Sequence, residues 1–133
     1  MTPDSVPTTF PGLGRIAQIA VLVTDTDRAV RFYRDILGMR LLFQASPTLA
    51  FFDANGVRLM LDRPTESVTG IGTSIVYYAV DDIQAAHALL TTRGVQFEDT
   101  PHVVAPLGNR DLWMTFFRDS EGNLLALSSE VPR

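Results

Sequence analysis

Apolar and polar residues alternate most clearly near the end of the chain, at residues 111–128. Two apolar runs there flank a polar segment, residues 118–123, in which Gly122 can adopt the positive φ of a tight turn. In the second run Leu125 and Leu127 fall on one face, and the intervening residues fall on the other. Both faces are poor in charge. The pattern predicts a β-hairpin with one face against a helix and the other lining an interior or a cleft.

The same order of elements occurs twice along the chain. In each copy an aspartate pair precedes a helix, and a glycine, Gly38 or Gly94, ends it. The first copy is predicted as a strand, a helix and three strands at residues 15–24, 27–37, 39–44, 49–53 and 57–61, with an Asn55-Gly56 turn before the last. The second is predicted as a strand, a helix, a strand, a loop and the hairpin, with the first four at residues 74–80, 83–93, 95–98 and 100–109.

This internal repeat predicts an α+β fold made of two βαβββ modules, residues 15–62 and 73–129. Both belong to a single domain, residues 15–133, because a chain of 133 residues is too short for two ordinary domains. Residues 1–14 are rich in proline and glycine and are predicted to form an irregular N-terminal arm. Residues 62–72 are predicted to be a linker between the modules.

Composition excludes several classes of function. The net charge is −4 and the basic residues are scattered, which argues against nucleic-acid binding. The chain has no cysteine, so disulfides, thiolate metal sites and cysteine nucleophiles are excluded. No signal peptide and no apolar run of transmembrane length is recognisable. We therefore expect a cytoplasmic protein that does not associate with membranes.

Two segments carry a family resemblance. IAVLVTDTDRAVRFYRDILGMRLL, residues 19–42, and FFRDSEGNLLAL, residues 116–127, resemble the vicinal oxygen chelate superfamily. That superfamily includes glyoxalase I, bleomycin-resistance proteins, fosfomycin-resistance enzymes and extradiol dioxygenases. The resemblance implies that each module curls into a half-barrel sheet, that the two half-barrels form a cleft, and that the protein is a homodimer.

The resemblance also implies four positions at which the superfamily binds its metal. They correspond here to Gln18, Met60 (or Leu59 if the register shifts by one), Ile75 and Ala126. Only Gln18 offers a donor atom, whereas a divalent metal needs three or four donors. We therefore predict no metal and no cofactor, as in the bleomycin-resistance branch, whose members hold a ligand without metal. Metal-dependent glyoxalase and dioxygenase activities are not transferred to this chain.

Alternation along the strands predicts further side chains in the cleft, which is expected to be apolar, aromatic and lined with sulfur. With Gln18, Met60, Ile75 and Ala126, the predicted ligand-binding residues are Phe51, Arg58, Tyr77, His102, Met114, Phe116 and Ser128. Gln18 is interpreted either as an amide that orients the ligand or as a core amide. His87 is predicted to lie on the surface, and Trp113 and Phe117 in the core.

These residues predict metal-independent binding of a small, partly apolar molecule. Two alternatives stay open. One is a metal-independent lyase or isomerase in which His102, the sole catalytic candidate, acts with Tyr77 or Arg58. For His102 itself, a structural or exposed role is favoured over a catalytic one. The other is a dimeric interaction module whose cleft is filled by packed core.

Overall fold

The computed structural model describes residues 11–12, 14–64 and 74–133. Most of the predicted arm (residues 1–10 and 13) and of the predicted linker (residues 65–72) lies outside the described residues. The described residues form an α+β fold, and no helix among them is long and apolar enough to cross a membrane. Its elements are β1 (Gln18–Leu22), α1 (Thr26–Arg31), β2 (Arg40–Ser46), β3 (Leu49–Ala54), β4 (Val57–Asp62), β5 (Val76–Ala79), α2 (Ile83–Thr92), β6 (His102–Leu107), β7 (Arg110–Arg118) and β8 (Leu124–Pro132).

The strands form two sheets with the same topology. The strand orders are β1-β4-β3-β2 and β5-β8-β7-β6. In each sheet the first pair is parallel and the other pairs are antiparallel. The repeat read from the sequence is therefore a repeat in structure, and the predicted fold class is confirmed.

Both helices begin at the predicted aspartates. The Asp25 carboxylate accepts a hydrogen bond from the Arg28 N–H at 3.0 Å, and Asp82 caps α2 in the same way. The sequence did not predict that α1 continues into a π-helical turn, Phe32–Ile36, in which the Leu37 N–H donates to the Phe32 carbonyl at 3.0 Å. Gly38 then ends the helical segment at φ +74°, a conformation that favours glycine.

The prediction for residues 95–109 is wrong. The expected strand at 95–98 makes only an isolated bridge between Phe97 and Phe117, and β6 lies inside the expected loop. Pro106 and the Gly108-Asn109 turn pointed to a loop. However, β6 is an edge strand, and an edge strand tolerates a proline because one side of it has no ladder partner.

Each sheet has one face covered by its module's helix, here called the helix face, and an opposite face, here called the open face. Large apolar side chains on the helix faces are almost completely buried. They form one core that is shared by both modules and includes Tyr33, Phe52, Leu59, Leu61, Phe117 and Leu125. Leu125 and Leu127 lie in this core, as the alternation in β8 predicts.

The β7–β8 turn, residues 119–123, fastens the second module to the first. The Tyr33 hydroxyl donates to Asp119 Oδ2 at 2.7 Å, and Asn123 Nδ2 donates to the Leu22 carbonyl at 3.0 Å. Burial of the hydroxyl, followed by the nearby Asp119 carboxylate, raises the pKa of Tyr33 far above its ordinary value. The Asn123 hydrogen bond places the start of β8 next to the end of β1, and the buried Tyr33–Asp119 pair holds the turn against the first helical segment.

Glu121, in the same turn, forms an ion pair between the two modules. Its side chain is only 1% exposed and pairs with the Arg28 guanidinium at 2.7 Å. Glu121 Oε1 also accepts hydrogen bonds from the N–H groups of Thr24 and Asp25 at 3.1 and 2.9 Å. Burial alone raises the pKa of Glu121, but the hydrogen bonds from Arg28, Asp25 and Thr24 outweigh burial and lower it to about 2.

Candidate functional site

The open face of the first sheet carries a polar pair beside an aromatic ring. Gln18 on β1 lies opposite Arg58 on β4, and Arg58 Nε donates to Gln18 Oε1 at 2.9 Å. The amide nitrogen of Gln18 points to the Met60 sulfur at 3.7 Å. The Arg58 guanidinium lies 5.3 Å from the centre of the Phe51 ring. The four predicted residues are thus in mutual contact, and the Gln18 oxygen is engaged by Arg58 rather than by the backbone.

The register of β4 decides between Met60 and Leu59. Leu59 is 1% exposed and belongs to the core, whereas Met60 is partly exposed on the open face beside Phe51. Phe43 on β2 extends this apolar surface, with its ring 4.8 Å from that of Phe51 and 49% of the residue exposed. Sequence reasoning missed Phe43 because two register shifts in β2 interrupt its alternation.

The open face of the second sheet carries an aromatic pair. Phe116, Ala126 and Tyr77 lie side by side on three neighbouring strands. The rings of Phe116 and Tyr77 meet edge to face at 5.9 Å, above the small Ala126 side chain. Ala126 is 0% exposed while Tyr77 is 45% exposed. In this structure a ligand on this face would therefore meet the two rings before Ala126.

Four further predicted residues lie on or beside the same face. Met114 pairs with Ser128 across β7 and β8, one row away from Phe116. His102 opens β6 opposite Met114, so β6 brings it to the edge of this face. Ile75 lies just before β5, two residues from Tyr77. His87, predicted to lie on the surface, is instead partly buried, with its ring 4.2 Å from that of Phe97.

The two open faces are not joined within the described part of one chain. Among the described residues, the hydrogen bonds and ion pairs between the modules involve the 119–123 turn or Arg93, which donates to the Ile36 carbonyl. In these ranges no hydrogen bond, ion pair or ring contact links the open face of one sheet to that of the other. The predicted ligand residues therefore form two groups, one for each sheet.

A cavity of about 310 Å³ lies on the helix side, between α2 and the end of the first helical segment. Leu37, Met39, Leu89 and Arg93 are among its lining residues. None of the predicted ligand residues lines it. It is therefore distinct from the surfaces described above.

Comparison with known proteins identifies the family. The model of the Glyoxalase/Bleomycin resistance protein/Dioxygenase superfamily matches residues 15–127. The chain belongs to this superfamily, and the resemblance noted in the sequence is confirmed.

Individual proteins resemble this chain over most of their length. YraH, an uncharacterized protein of Bacillus subtilis (strain 168), is 27% identical over 129 residues, which cover 85% of this chain and 96% of YraH. A superfamily member from Sphaerobacter thermophilus superposes with a TM-score of 0.72 at 27% identity, covering 89% of this chain and 98% of that one. TnmS3, an antibiotic binding protein from Streptomyces sp. CB03234, has the same fold, with a TM-score of 0.72 at 23% identity over 90% of this chain and 98% of TnmS3.

The residues at the four metal positions do not fit a divalent ion. The one donor oxygen, on Gln18, already accepts a hydrogen bond from the cationic Arg58 side chain. Met60 and Ile75 bring no charge, and Ala126 lies beneath two rings. Within residues 14–64 and 74–133, no three His, Cys, Asp or Glu side chains are grouped as metal ligands.

Proposed function

We propose that this protein binds a small, partly apolar molecule on the open faces of its sheets, without a metal ion, and that it does so as a homodimer. The main support for this proposal is the contrast between the two faces of each sheet. Phe52 and Phe117 on the helix faces are 0% exposed, whereas Phe43 and Tyr77 on the open faces are 49% and 45% exposed. Large apolar side chains grouped at a surface mark a site for a ligand or a partner.

Polar groups on these faces suit recognition of a small molecule. Arg58 carries a charge beside the Phe51 ring, and the Gln18 amide orients the guanidinium. An apolar surface with a few fixed polar groups is the usual character of a small-molecule site. The description of TnmS3 as an antibiotic binding protein supports this proposal by analogy of fold.

The metal-free part of the proposal rests on charge. A cation placed beside Gln18 would lie close to the Arg58 guanidinium, which is hydrogen-bonded to the only available donor oxygen at 2.9 Å. Like charges at such a separation repel each other, which disfavours a cation at this position. No glyoxalase or dioxygenase step that requires a bound metal is assigned to this chain.

The dimer supplies the second wall of the cleft. In the described part of the chain β1 and β5 are edge strands, and each leaves an unpaired row of backbone groups beside an open face. Pairing with a second copy would cover these edges and bring an open face of one protomer against an open face of the other. Sedimentation velocity at micromolar concentrations should show a dimer. A monomer at all these concentrations would contradict this part of the proposal.

Ligand-induced stabilisation tests the proposed site. A library of aromatic fragments should contain compounds that raise the melting temperature, because a ligand at a hundred times its Kd stabilises the folded state by about 2.7 kcal/mol. Phe116→Ala should weaken this shift, measured from the variant's own melting temperature. Leu89→Ala, which removes a side chain that is 51% exposed on α2, is the matched control and should leave the shift unchanged. If no fragment raises the melting temperature, the alternative of a dimeric interaction module with a filled cleft is favoured instead.

A further inference from the structure

The His102 side chain lies on the open face of the second sheet, and a hydrogen bond fixes the orientation of its ring. It pairs with Met114 across β6 and β7, and Met114 pairs with Ser128 across β7 and β8. Paired residues on neighbouring strands share a face, so the imidazole lies on the same face as the Phe116 and Tyr77 rings. It is the one histidine that β6 to β8 place on this open face.

The hydrogen bond at Nδ1 of His102 determines whether Nε2 is a donor or an acceptor. His102 Nδ1 lies 2.8 Å from the Thr100 carbonyl oxygen. A carbonyl oxygen can only accept, so in the neutral ring Nδ1 carries the proton and Nε2 keeps its lone pair. Nε2 has no hydrogen-bond partner among the described residues. The second sheet therefore presents one fixed hydrogen-bond acceptor at the edge of an aromatic surface.

Asp99 supports this arrangement. Its Oδ1 accepts hydrogen bonds from the Thr115 hydroxyl at 2.7 Å and from the Phe116 N–H at 2.9 Å. Its other oxygen, Oδ2, lies 4.0 Å from His102 Nδ1. A negative charge on this side favours the proton on Nδ1, which leaves the lone pair on Nε2. The same charge disfavours an anionic ligand group at this edge.

We infer that His102 Nε2 accepts a hydrogen bond from a ligand hydroxyl, and that the preferred ligands are phenols and related aromatic hydroxyl compounds. The aromatic ring of such a ligand packs against Phe116, on the strand next to β6, while its O–H reaches Nε2. Asp99 is a positioning residue that acts through the imidazole. This inference rests on the proposed function, because it specifies the ligand class for the same open face.

Two compounds that differ by a single hydrogen-bond donor test the inference. 4-Chlorophenol has the O–H, and 4-chloroanisole replaces its proton with a methyl group. Calorimetry or ligand-observed NMR should give a Kd about 5- to 10-fold lower for the phenol, the value of one added hydrogen bond. His102→Phe keeps an aromatic ring but removes the acceptor, so the preference should disappear. Asp99→Asn keeps an acceptor oxygen for Thr115 and Phe116, and should reduce the preference without abolishing it.

A spectroscopic measurement tests the orientation separately. Long-range ¹H–¹⁵N correlation of ¹⁵N-labelled protein should show His102 protonated at Nδ1 and unprotonated at Nε2. The chain has two histidines, so a His87→Gln variant assigns the signals. The opposite tautomer at His102 would overturn the inference.

The binding outcomes separate this inference from the proposed function. If both compounds bind but the phenol preference is absent, or survives in His102→Phe, the inference about His102 is wrong and the proposed site stands. If neither compound binds at concentrations up to their solubility, the ligand class inferred for His102 is wrong, and the fragment screen decides the proposed site separately.

Discussion

The most quantitative prediction concerns Glu121, whose carboxylate joins the two modules. Glu121→Gln keeps the shape of the side chain but removes the negative charge that Arg28 and the N–H groups of Thr24 and Asp25 stabilise. The pKa of Glu121 falls from 4.5 to about 2 on folding. A tenfold change in proton affinity is worth about 1.4 kcal/mol, so the charged form contributes about 3 kcal/mol to folding. We expect the variant to lose about that amount at pH 7.

The pH dependence gives the sign of the effect. Because the pKa of Glu121 is lower in the folded than in the unfolded chain, its contribution is complete above about pH 4.5 and is lost as the pH falls toward about 2. The difference in unfolding free energy between wild type and Glu121→Gln should therefore be largest at neutral pH and shrink steadily below pH 4.5. Urea unfolding at one fixed chain concentration, repeated between pH 7 and pH 3, measures this difference.

Glu98→Gln is the matched control. Glu98 also pairs with an arginine, Arg118, but at 3.7 Å and with both side chains 47% exposed. Exposed pairs contribute little, so this variant should stay within about 0.5 kcal/mol of wild type. The stabilising role of Glu121 is disproved if Glu121→Gln also stays within about 0.5 kcal/mol of wild type at pH 7, or if its loss of unfolding free energy does not change with pH.

Two further variants test the contacts that build the fold. Tyr33→Phe removes the buried hydroxyl that donates to Asp119 at 2.7 Å and should lower the unfolding free energy by about 1.5–3 kcal/mol, whereas Tyr77→Phe should change it by less than 1 kcal/mol. Gly122→Ala places a side chain at φ +85° and should cost about 1–2 kcal/mol by urea unfolding; an unchanged midpoint would show that the turn can rearrange.

Much of the architecture could be predicted because it depends on local sequence patterns that occur in both modules. Alternating strands, aspartate caps and helix-ending glycines depend on neighbouring residues, and they predicted both modules and the register that places Met60 on the open face. Strand β6 was missed for a local reason as well. Pro106 normally argues against a strand, and only its position at the edge of a sheet makes it compatible with one.

The contacts that define the site could not be read from local patterns. Glu121 lies in a turn, where a glutamate is usually solvated, and its partners Thr24, Asp25 and Arg28 are 97, 96 and 93 residues away. The covering of Ala126 by two rings depends on the register of three strands at once. Alternation can assign a residue to a face, but it does not determine whether neighbouring side chains leave that residue accessible.

The proposed function requires that this superfamily member hold a small molecule without a metal ion. Native mass spectrometry of the protein purified from its own host tests this directly, because one spectrum reports the oligomer, any metal and any ligand that co-purifies. We expect a dimer that carries an organic ligand, released by mild activation, and far less than one divalent metal ion per chain. A tightly held metal ion in each chain, retained after the organic ligand is removed, would contradict it.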